Sequence, residues 1–329
     1  MNGEWMGIDD FVSKPWISVI IPSYCGERWI DSALSSIAAE GAEGVEVLVI
    51  DASPTGATLK IAETYSNRLR LRAFDRRDLM SWQAKTNFGV EVAAASHLCW
   101  LGVDDVWFPG RAAAVRSWIH ADPEAPLHLA PAAIIDRSGR KLGAWRCPLR
   151  SGGKLTSAYV TERLLVQNFV AAPAPVFRKD AWLACGGLDE SLWYTADWDI
   201  WLKLASLGSV LYHDPITIGF RIHAESLTVT GSREAAAFEQ QMQIVLERHL
   251  PKLASASHTL ARIARASIAV NAALAATSTS IGKGKGRQLF RAASQVLRLG
   301  PSGFYRYLRD SRIIERVAPR LRAKLTGAY

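Results

Sequence analysis

The sequence predicts an α/β fold in which a mostly parallel mixed sheet carries helices on both faces, followed by a C-terminal helical region. Over the first 120 residues, short apolar runs alternate with helical patterns, which is typical of βαβ units. Polar residues follow several of these runs directly. The charge also changes along the chain: residues 1–230 hold 22 Lys+Arg and 26 Asp+Glu, whereas residues 231–329 hold 17 and 5.

Composition and length narrow the class of protein. The chain has 329 residues, of which 49% are hydrophobic and 21% are charged, and these values exclude collagen-like, coiled-coil and disordered classes. The length predicts two domains. Because the charge balance changes near residue 230, we expect an α/β domain over residues 1–230 and a basic helical accessory domain over residues 231–329.

The strands and helices of the first 120 residues follow from their patterns. Each predicted strand is a short apolar run rich in β-branched residues, and each predicted helix has apolar residues at helical spacing. The predicted strands cover residues 16–21, 45–50, 69–74 and 97–101, and the predicted helices cover 27–39, 57–65, 81–95 and 111–119.

The pattern is less regular between residues 134 and 230. Residues 134–140 predict a strand that enters a hairpin turn, residues 145–160 a loop, and residues 173–178 an extended segment. Asp180 is expected to cap a short helix that ends at Gly186-Gly187. An amphipathic helix follows, with Trp198, Trp201, Leu202 and Ala205 on one stripe.

Beyond residue 230 the patterns predict helices only. They cover residues 234–250, 253–275, 288–299 and 304–325, and Gly300-Pro301 separates the last two.

The N-terminus lacks the apolar core of a signal peptide, and no run is long and apolar enough to predict a membrane span. The four cysteines are scattered and form no CxxC pair, which favours reduced thiols in a cytoplasmic protein over a disulfide framework or a zinc site. They are Cys25, Cys99, Cys147 and Cys185.

Three polar clusters follow predicted strands: residues 22–24, residues 51–53, and Asp104-Asp105. Ligands of open parallel sheets bind outside the carboxyl ends of the strands, so these clusters predict a common site. Asp51 and Asp104 are equally compatible with a simpler role, since Asp often begins the turn after a strand.

Asp197 and Asp199 flank the apolar stripe of the amphipathic helix. At 100° per residue they lie 200° apart around the axis, so they are not expected to face one small site together. Either one lines a cleft while the other pairs elsewhere, or both simply stabilise the N-terminal end of the helix.

Several motifs in order resemble the family 2 glycosyltransferases of GT-A fold. They are ISVIIPSY (17–24), VEVLVIDAS (45–53), Asn87-Phe88-Gly89, LCWLGVDDVWFPG (98–110), the segments 177–190 and 196–205, and FRIHAESLT (220–228). The resemblance covers residues 16–230 and lies in the order and spacing of these pieces.

The resemblance implies a role for each matched residue. It makes Asp197 the catalytic base and assigns Asp104 and His223 to a divalent metal, Mn²⁺ or Mg²⁺. Residues expected to bind the nucleotide are Pro22, Tyr24, Glu27, Asp51, Asn87 and Asp104. Residues expected on the acceptor side are Trp198, Asp105 and Arg221.

The implied activity is inverting transfer of a sugar from a nucleoside-diphosphate sugar to an acceptor hydroxyl, for a bacterial surface glycan or a lipid-linked saccharide. Three departures stand against the family pattern: Gly102 replaces the first Asp of the metal motif, Ala196 replaces an acidic residue before the base, and Cys25 stands where Asn is common. They leave open a non-catalytic protein of the same fold that binds sugar nucleotides.

Other function classes are less compatible with the sequence. A nicotinamide oxidoreductase would need a GxGxxG turn after the first strand, and residues 22–27 (PSYCGE) lack it. The C-terminal basic run is consistent with a solvated helix face, with peripheral contact to the cytoplasmic face of a membrane, or with nucleic-acid binding, which we do not expect. Its residues are Arg306, Arg309, Arg312, Arg316, Arg320, Arg322 and Lys324.

Overall fold

The computed structural model of the chain describes residues 4–6, 14–41, 43–225, 235–253, 257–279 and 285–325. Its strands, numbered in chain order, are β1 (Glu4–Met6), β2 (Ile17–Ser23), β3 (Val45–Asp51), β4 (Arg70–Asp75), β5 (His97–Trp100), β6 (Val106–Trp107), β7 (Leu127–Leu129), β8 (Ala132–Ile135), β9 (Lys141–Trp145), β10 (Lys154–Leu155), β11 (Val176–Arg178), β12 (Val210–Tyr212) and β13 (Ile218–Arg221).

Helices and strands are interspersed as far as residue 221, and the described elements beyond it are helical. They are α1 (Ile30–Ala38), α2 (Ala57–Glu63), α3 (Trp82–Val92), α4 (Arg111–Ala121), α5 (Ser157–Val166), α6 (Lys179–Ala184), α7 (Ala196–Ser206), α8 (Ala235–His249), α9 (His258–Thr279), α10 (Lys285–Leu297), α11 (Gly300–Ser311) and α12 (Ile313–Leu325).

Within these described ranges, nine strands form a mixed sheet in the order β1-β4-β3-β2-β5-β11-β7-β12-β10. Its centre, β4-β3-β2-β5, is parallel. Parallel strands are usually covered on both faces, and the β-branched runs of β2 and β3 are buried accordingly. Ile20 packs with Val90 of α3 on one face, and Ile21 packs with Leu34 of α1 on the other. The predicted mostly parallel mixed sheet with helices on both faces is confirmed.

The register of the central strands positions the site. Ser23 pairs with Asp51, and Asp51 pairs with Asp75, so the three carboxyl ends meet at one edge of the sheet. A second, four-stranded sheet, β6-β13-β8-β9, lies beside it. The hairpin predicted after residue 134 is the β8–β9 pair of this sheet.

The prediction of a loop over residues 145–160 holds for residues 146–153 and is wrong beyond them, because β10 and the first turn of α5 lie there. The Thr156 side chain caps α5 by accepting a hydrogen bond from the backbone N–H of Tyr159 (3.3 Å). Val160 and Leu164 then face the core. A threonine before a helical apolar pattern is a start signal that the sequence contains.

Two further predictions about helix ends are corrected. The predicted helix over residues 304–325 is two helices, α11 and α12, because Arg312 adopts a left-handed conformation (φ +48°) that ends α11. Asp180 lies inside α6 and not at its N-cap, which is Arg178. The carboxylate of Asp180 instead pairs with the Arg178 guanidinium.

The helices beyond residue 230 share an apolar core with the sheet. Val245 of α8 and Ile263 of α9 belong to the same buried cluster as Trp198 of α7 and Leu164 of α5. The division at residue 230 therefore stays a prediction, drawn from charge and not from packing. No helix in the described ranges combines the length and hydropathy that a membrane span needs.

Candidate active site

A cavity of about 610 Å³ opens beside the carboxyl ends of β2 and β5. Its walls come from both sheets and from the C-terminal helices, and they hold three groups of polar residues. The first contains Tyr24 and Lys85, the second Asp104 and His223, and the third includes Asp197.

The first group surrounds the turn after β2. Pro22 and Tyr24 line the cavity, and the ring of Tyr24 is half exposed. The Lys85 ammonium, from α3, lies 5.8 Å from the centroid of that ring and donates a hydrogen bond to the carbonyl of Met80 (3.2 Å). Burial lowers the pKa of Lys85, and the Asp51 carboxylate opposes this effect. Lys85 was not among the predicted site residues.

Three residues predicted to bind nucleotide do not line the cavity. Asp51 is 1% exposed, and its carboxylate accepts hydrogen bonds from the hydroxyl (2.7 Å) and N–H of Ser53. Asn87 exchanges two hydrogen bonds of 3.0 Å with the backbone of Leu188. Glu27 is exposed and lies near the Thr58 hydroxyl (3.5 Å). Their roles toward a nucleotide stay predictions.

Cys25 adopts a left-handed backbone conformation with φ +49°. Its N–H donates to the Ser53 hydroxyl (2.6 Å), which holds the β2 turn against the end of β3. Asn tolerates this conformation better than other non-glycine residues do. This gives a physical reason for the asparagine that is common at this position in the family the sequence resembles.

The second group joins residues that are 119 positions apart. His223 Nε2 lies 2.9 Å from Asp104 Oδ2, and the imidazole stacks on Trp29 with ring centroids 5.0 Å apart. Arg221 supports both residues, because its Nε donates to the Asp104 carbonyl (2.6 Å) and its guanidinium lies over Trp29. The structure thus brings together the two predicted metal ligands.

Asp105 explains the glycine at position 102. A Cβ atom on Gly102 would lie 2.6 Å from Asp105 Oδ2 and 2.9 Å from Asp104 Oδ1, so a side chain there would have to displace these carboxylates. Asp105 Oδ1 accepts a hydrogen bond from the N–H of Arg221 (2.8 Å). Burial and the neighbouring Asp104 carboxylate raise the pKa of Asp105 well above its ordinary value.

The donor set of this group fits a divalent cation that is also held by phosphate. Asp104 supplies a carboxylate and His223 an imidazole nitrogen, and both line the cavity. The described part of the chain contains no cluster of three or more His, Cys, Asp or Glu placed to bind a metal by itself. Mg²⁺ is usually held by one or two carboxylates together with phosphate oxygens and water, so the single carboxylate of Asp104 is compatible with such a site.

The third group surrounds Asp197, in the first turn of α7. Asn168 Nδ2 donates to Asp197 Oδ2 (2.9 Å), and the N–H of Trp198 donates to Oδ1 (2.8 Å). Burial raises the pKa of Asp197 to about 6, against the effect of these hydrogen bonds. The Trp198 indole also lines the cavity, but its N–H is bonded to the Leu164 carbonyl (2.8 Å).

Asp199 points away from the cavity, as the helical spacing predicts. It is fully buried, and Lys203 and His249 each place a nitrogen 2.8 Å from its carboxylate. Burial raises its pKa, but the hydrogen bonds from His249 and Lys203 outweigh this and hold the pKa well below the ordinary value. The expectation that the two aspartates serve different surroundings is confirmed.

The cavity wall also contains residues that the sequence did not identify as site residues. Gln167 and Asn168 directly follow α5, and Asn271 belongs to α9. Arg316 and Arg320 of α12 were identified only as members of a basic run, for which a solvated face was one interpretation. Helical spacing cannot show which face packs inward, so only the tertiary structure places them here.

Comparisons with known proteins identify the family of the chain. The family model described as glycosyltransferase like family 2 matches residues 18–249. An uncharacterized glycosyltransferase of Rickettsia prowazekii is 23% identical over 240 residues, covering 69% of this chain and 70% of the relative. Chondroitin synthase of Escherichia coli is 24% identical over 217 residues, covering 65% of this chain and 30% of the synthase.

Solved structures show the same fold. S. aureus TarS 1-349 in complex with UDP-GlcNAc superposes with a TM-score of 0.60 at 17% identity, covering 95% of this chain and 92% of that chain. A mannosyltransferase from Pyrobaculum calidifontis, in complex with GDP-Man and Mn²⁺, gives a TM-score of 0.53 at 17% identity, covering 92% and 88%. Because the family model spans more than half of the sequence, the chain belongs to the glycosyltransferase-like family 2, and its fold is that of the GT-A transferases.

Proposed function

We propose that the protein transfers a sugar from a nucleoside-diphosphate sugar to an acceptor hydroxyl, by a single displacement that inverts the anomeric carbon. The observation that carries this proposal is that a carboxylate with a raised pKa, Asp197, shares one cavity with the Asp104–His223 pair. Asp197 suits abstraction of the acceptor proton, and the Asp104–His223 pair suits binding of a cation at the diphosphate.

Asp197 acts as the general base. The acceptor hydroxyl must lose its proton as its oxygen attacks the anomeric carbon, and a base works best when its pKa lies close to the working pH. With a pKa of about 6, Asp197 is mostly ionised at neutral pH and is a stronger base than an ordinary carboxylate. Asn168 orients the carboxylate through its 2.9 Å hydrogen bond.

Asp104 and His223 would hold Mn²⁺ or Mg²⁺ at the diphosphate. The bound cation supplies positive charge that stabilises the leaving diphosphate as the anomeric bond breaks. Arg221 fixes the backbone of Asp104, and Trp29 fixes the ring of His223, so both ligating groups are held in place before the donor binds.

The nucleoside occupies the turn after β2. Pro22 and the half-exposed ring of Tyr24 offer an apolar surface for the base, and the buried Lys85 lies beside them as a cation. Asp51 lies outside the cavity and supports this surface indirectly. Its carboxylate favours the charged form of Lys85 and accepts a hydrogen bond from the Ser53 hydroxyl. The UDP-GlcNAc and GDP-Man complexes of the structural neighbours support a nucleotide-sugar donor.

We assign the acceptor to a bacterial surface glycan or a lipid-linked saccharide, which the likeness to a chondroitin synthase supports. Contact with the cytoplasmic face of a membrane would use α10 and α11, which pack against each other. These helices expose Phe290 (74%), Leu297 (74%) and Tyr305 (66%) in the basic part of the chain.

Vesicle sedimentation tests this membrane contact. The full chain should pellet with phosphatidylglycerol vesicles, and Phe290→Ser with Leu297→Ser should reduce pelleting severalfold. Leu183→Ser is a control, since Leu183 is also an exposed apolar residue (51%) but lies on α6. Equal pelleting of all three proteins would rule out contact through α10.

Calorimetric titration with UDP, GDP and dTDP, each with Mn²⁺, Mg²⁺ or a chelator, tests the donor assignment, and release of UDP or GDP from the corresponding sugar nucleotide tests catalysis. We expect metal-dependent binding of one nucleotide and slow donor hydrolysis that requires Asp197. Metal-dependent binding without any turnover would favour a non-catalytic sugar-nucleotide-binding protein. Absence of binding by every nucleotide would refute the proposal.

A further inference from the structure

Two arginines of α12, Arg316 and Arg320, lie in the wall of the cavity that contains Asp197. The surroundings of Arg316 differ from those of three neighbouring arginines, whose guanidinium groups pair with carboxylates. These pairs are Arg306 with Glu162 (2.7 Å), Arg309 with Asp310 (2.7 Å) and Arg312 with Glu315 (3.0 Å).

Arg316 has no carboxylate within ion-pair distance among the described residues. Its Nη2 donates to Asn271 Oδ1 (2.9 Å), whereas its Nε and Nη1 are buried and find no hydrogen-bond partner in the described part of the chain. Burial and the neighbouring Arg320 lower its pKa to about 10, so Arg316 is still charged at neutral pH. A buried cation whose N–H donors lack acceptors is unfavourable unless an anion pairs with it.

A chain of hydrogen bonds connects this cation to the proposed base. Asn271 Nδ2 donates to Gln167 Oε1 (2.6 Å), and Gln167 Nε2 donates to the carbonyl of Asn168 (3.2 Å). Asn168 in turn donates to Asp197. Arg316 is therefore connected to the proposed base Asp197, and Arg320 lies beside Arg316 with its Nη1 donating to the Arg316 carbonyl (2.6 Å), whereas the diphosphate is assigned to Asp104 and His223.

We propose that Arg316 and Arg320 bind an anionic group, a phosphate or a carboxylate, carried by the acceptor whose hydroxyl reaches Asp197. This inference rests on the proposed function, because it needs Asp197 to mark the acceptor side of the cavity. The guanidinium fork suits either group, since both present two oxygens to parallel N–H donors. The acceptor is thus an acidic saccharide or a phosphate-bearing polyol or sugar, and not a neutral glycan.

A matched set of small probes tests the proposal: glycerol 1-phosphate, glycerate and glycerol. Each is titrated by calorimetry into the full chain saturated with UDP and Mn²⁺. We expect at least one anion to bind tenfold or more tightly than glycerol, and the better anion distinguishes a phosphate-bearing acceptor from a carboxylate-bearing one. Loss of a hydrogen bond to a charged group should weaken that binding tenfold to hundredfold in Arg316→Gln and in Arg320→Gln.

Two controls accompany these variants. Arg298→Gln removes the same charge from an exposed position in the helical region and should keep the preference for the anion. Arg316→Lys retains the charge without the fork and should recover part of the affinity. Arg316→Gln should fold as stably as the parent chain, because it removes an uncompensated buried charge.

Several outcomes would overturn the proposal. Equal binding of glycerol and both anions would do so, as would failure of either anion to bind, or an unchanged preference in both glutamine variants. A fall in UDP affinity in these variants would assign the arginines to the donor instead. Should UDP not bind the parent chain at all, the proposed function fails, and the same titrations without UDP still decide whether the arginines hold an anion.

Discussion

Replacing Asp197 by asparagine should make the protein more stable at pH 8 while removing its activity. The folded state raises the pKa of this carboxyl from 3.8 to about 6. An acid with a raised folded pKa destabilises the fold once it ionises, and the cost is complete above the folded pKa. Two pKa units correspond to about 3 kcal/mol at most, at 1.36 kcal/mol per unit.

Part of this gain is lost in hydrogen bonding. The Asp197 carboxylate accepts one bond from Asn168 and one from the Trp198 N–H through different oxygens, and asparagine has only one oxygen. Losing one bond costs about 1 kcal/mol. The net expectation for Asp197→Asn is therefore about 1 to 2 kcal/mol of added stability at pH 8, turning into a small loss below pH 3.8, where the parent carboxyl is protonated in both states.

Asp199→Asn is the matched control, because it makes the same chemical change two residues further along the same helix. Its carboxylate is fully buried and paired with Lys203, His249 and Arg248. Breaking a buried ion pair leaves uncompensated charge and costs about 3 to 5 kcal/mol. Asp199→Asn should therefore be less stable than the parent chain at pH 8, and its folded fraction should retain nucleotide binding.

Urea unfolding at pH 8 and pH 3.5, with donor turnover at pH 5 to 9, measures these effects. Turnover of the parent should fall as the pH drops through about 6, because Asp197 is then protonated. Asp197→Asn should lower turnover about 100-fold or more with UDP affinity unchanged. Full activity of Asp197→Asn, or a loss of stability equal to that of Asp199→Asn, would refute the reasoning.

Three other substitutions test the turns and the second polar group. Cys25→Asn should stabilise the chain by about 1 kcal/mol, because φ +49° disfavours cysteine more than asparagine; an unchanged urea midpoint would contradict this. Gly102→Asp, which restores the common metal motif, should destabilise the fold by about 1 to 3 kcal/mol and not improve turnover, since its Cβ would meet Asp105 at 2.6 Å. Asp104→Ala should abolish the metal dependence of nucleotide binding by calorimetry; a preserved Mn²⁺ requirement would remove Asp104 from the metal role.

Local patterns were sufficient for the centre of the fold. The β-branched runs of β2 and β3 predict buried parallel strands because such strands must be apolar on both faces. Helical geometry alone separated Asp197 from Asp199, since a fixed rotation per residue sends them to opposite sides of α7. The missed helix α5 began at a recognisable cap, Thr156, so that error lay in the interpretation of the sequence and not in a lack of signal.

By itself, then, the sequence determined the four central strands, the family motifs and the residues available for chemistry, because propensity, periodicity and motif spacing act over a few neighbouring positions. Only the tertiary structure decided which of these residues meet. It joined Asp104 to His223 across 119 positions, turned Asn87 toward Leu188, and folded Arg316 into the cavity. Contacts of this kind depend on how whole helices and sheets pack. Burial in the folded chain, and not a local sequence pattern, raises the pKa of Asp197 and lowers the pKa of Arg316 in the cavity wall.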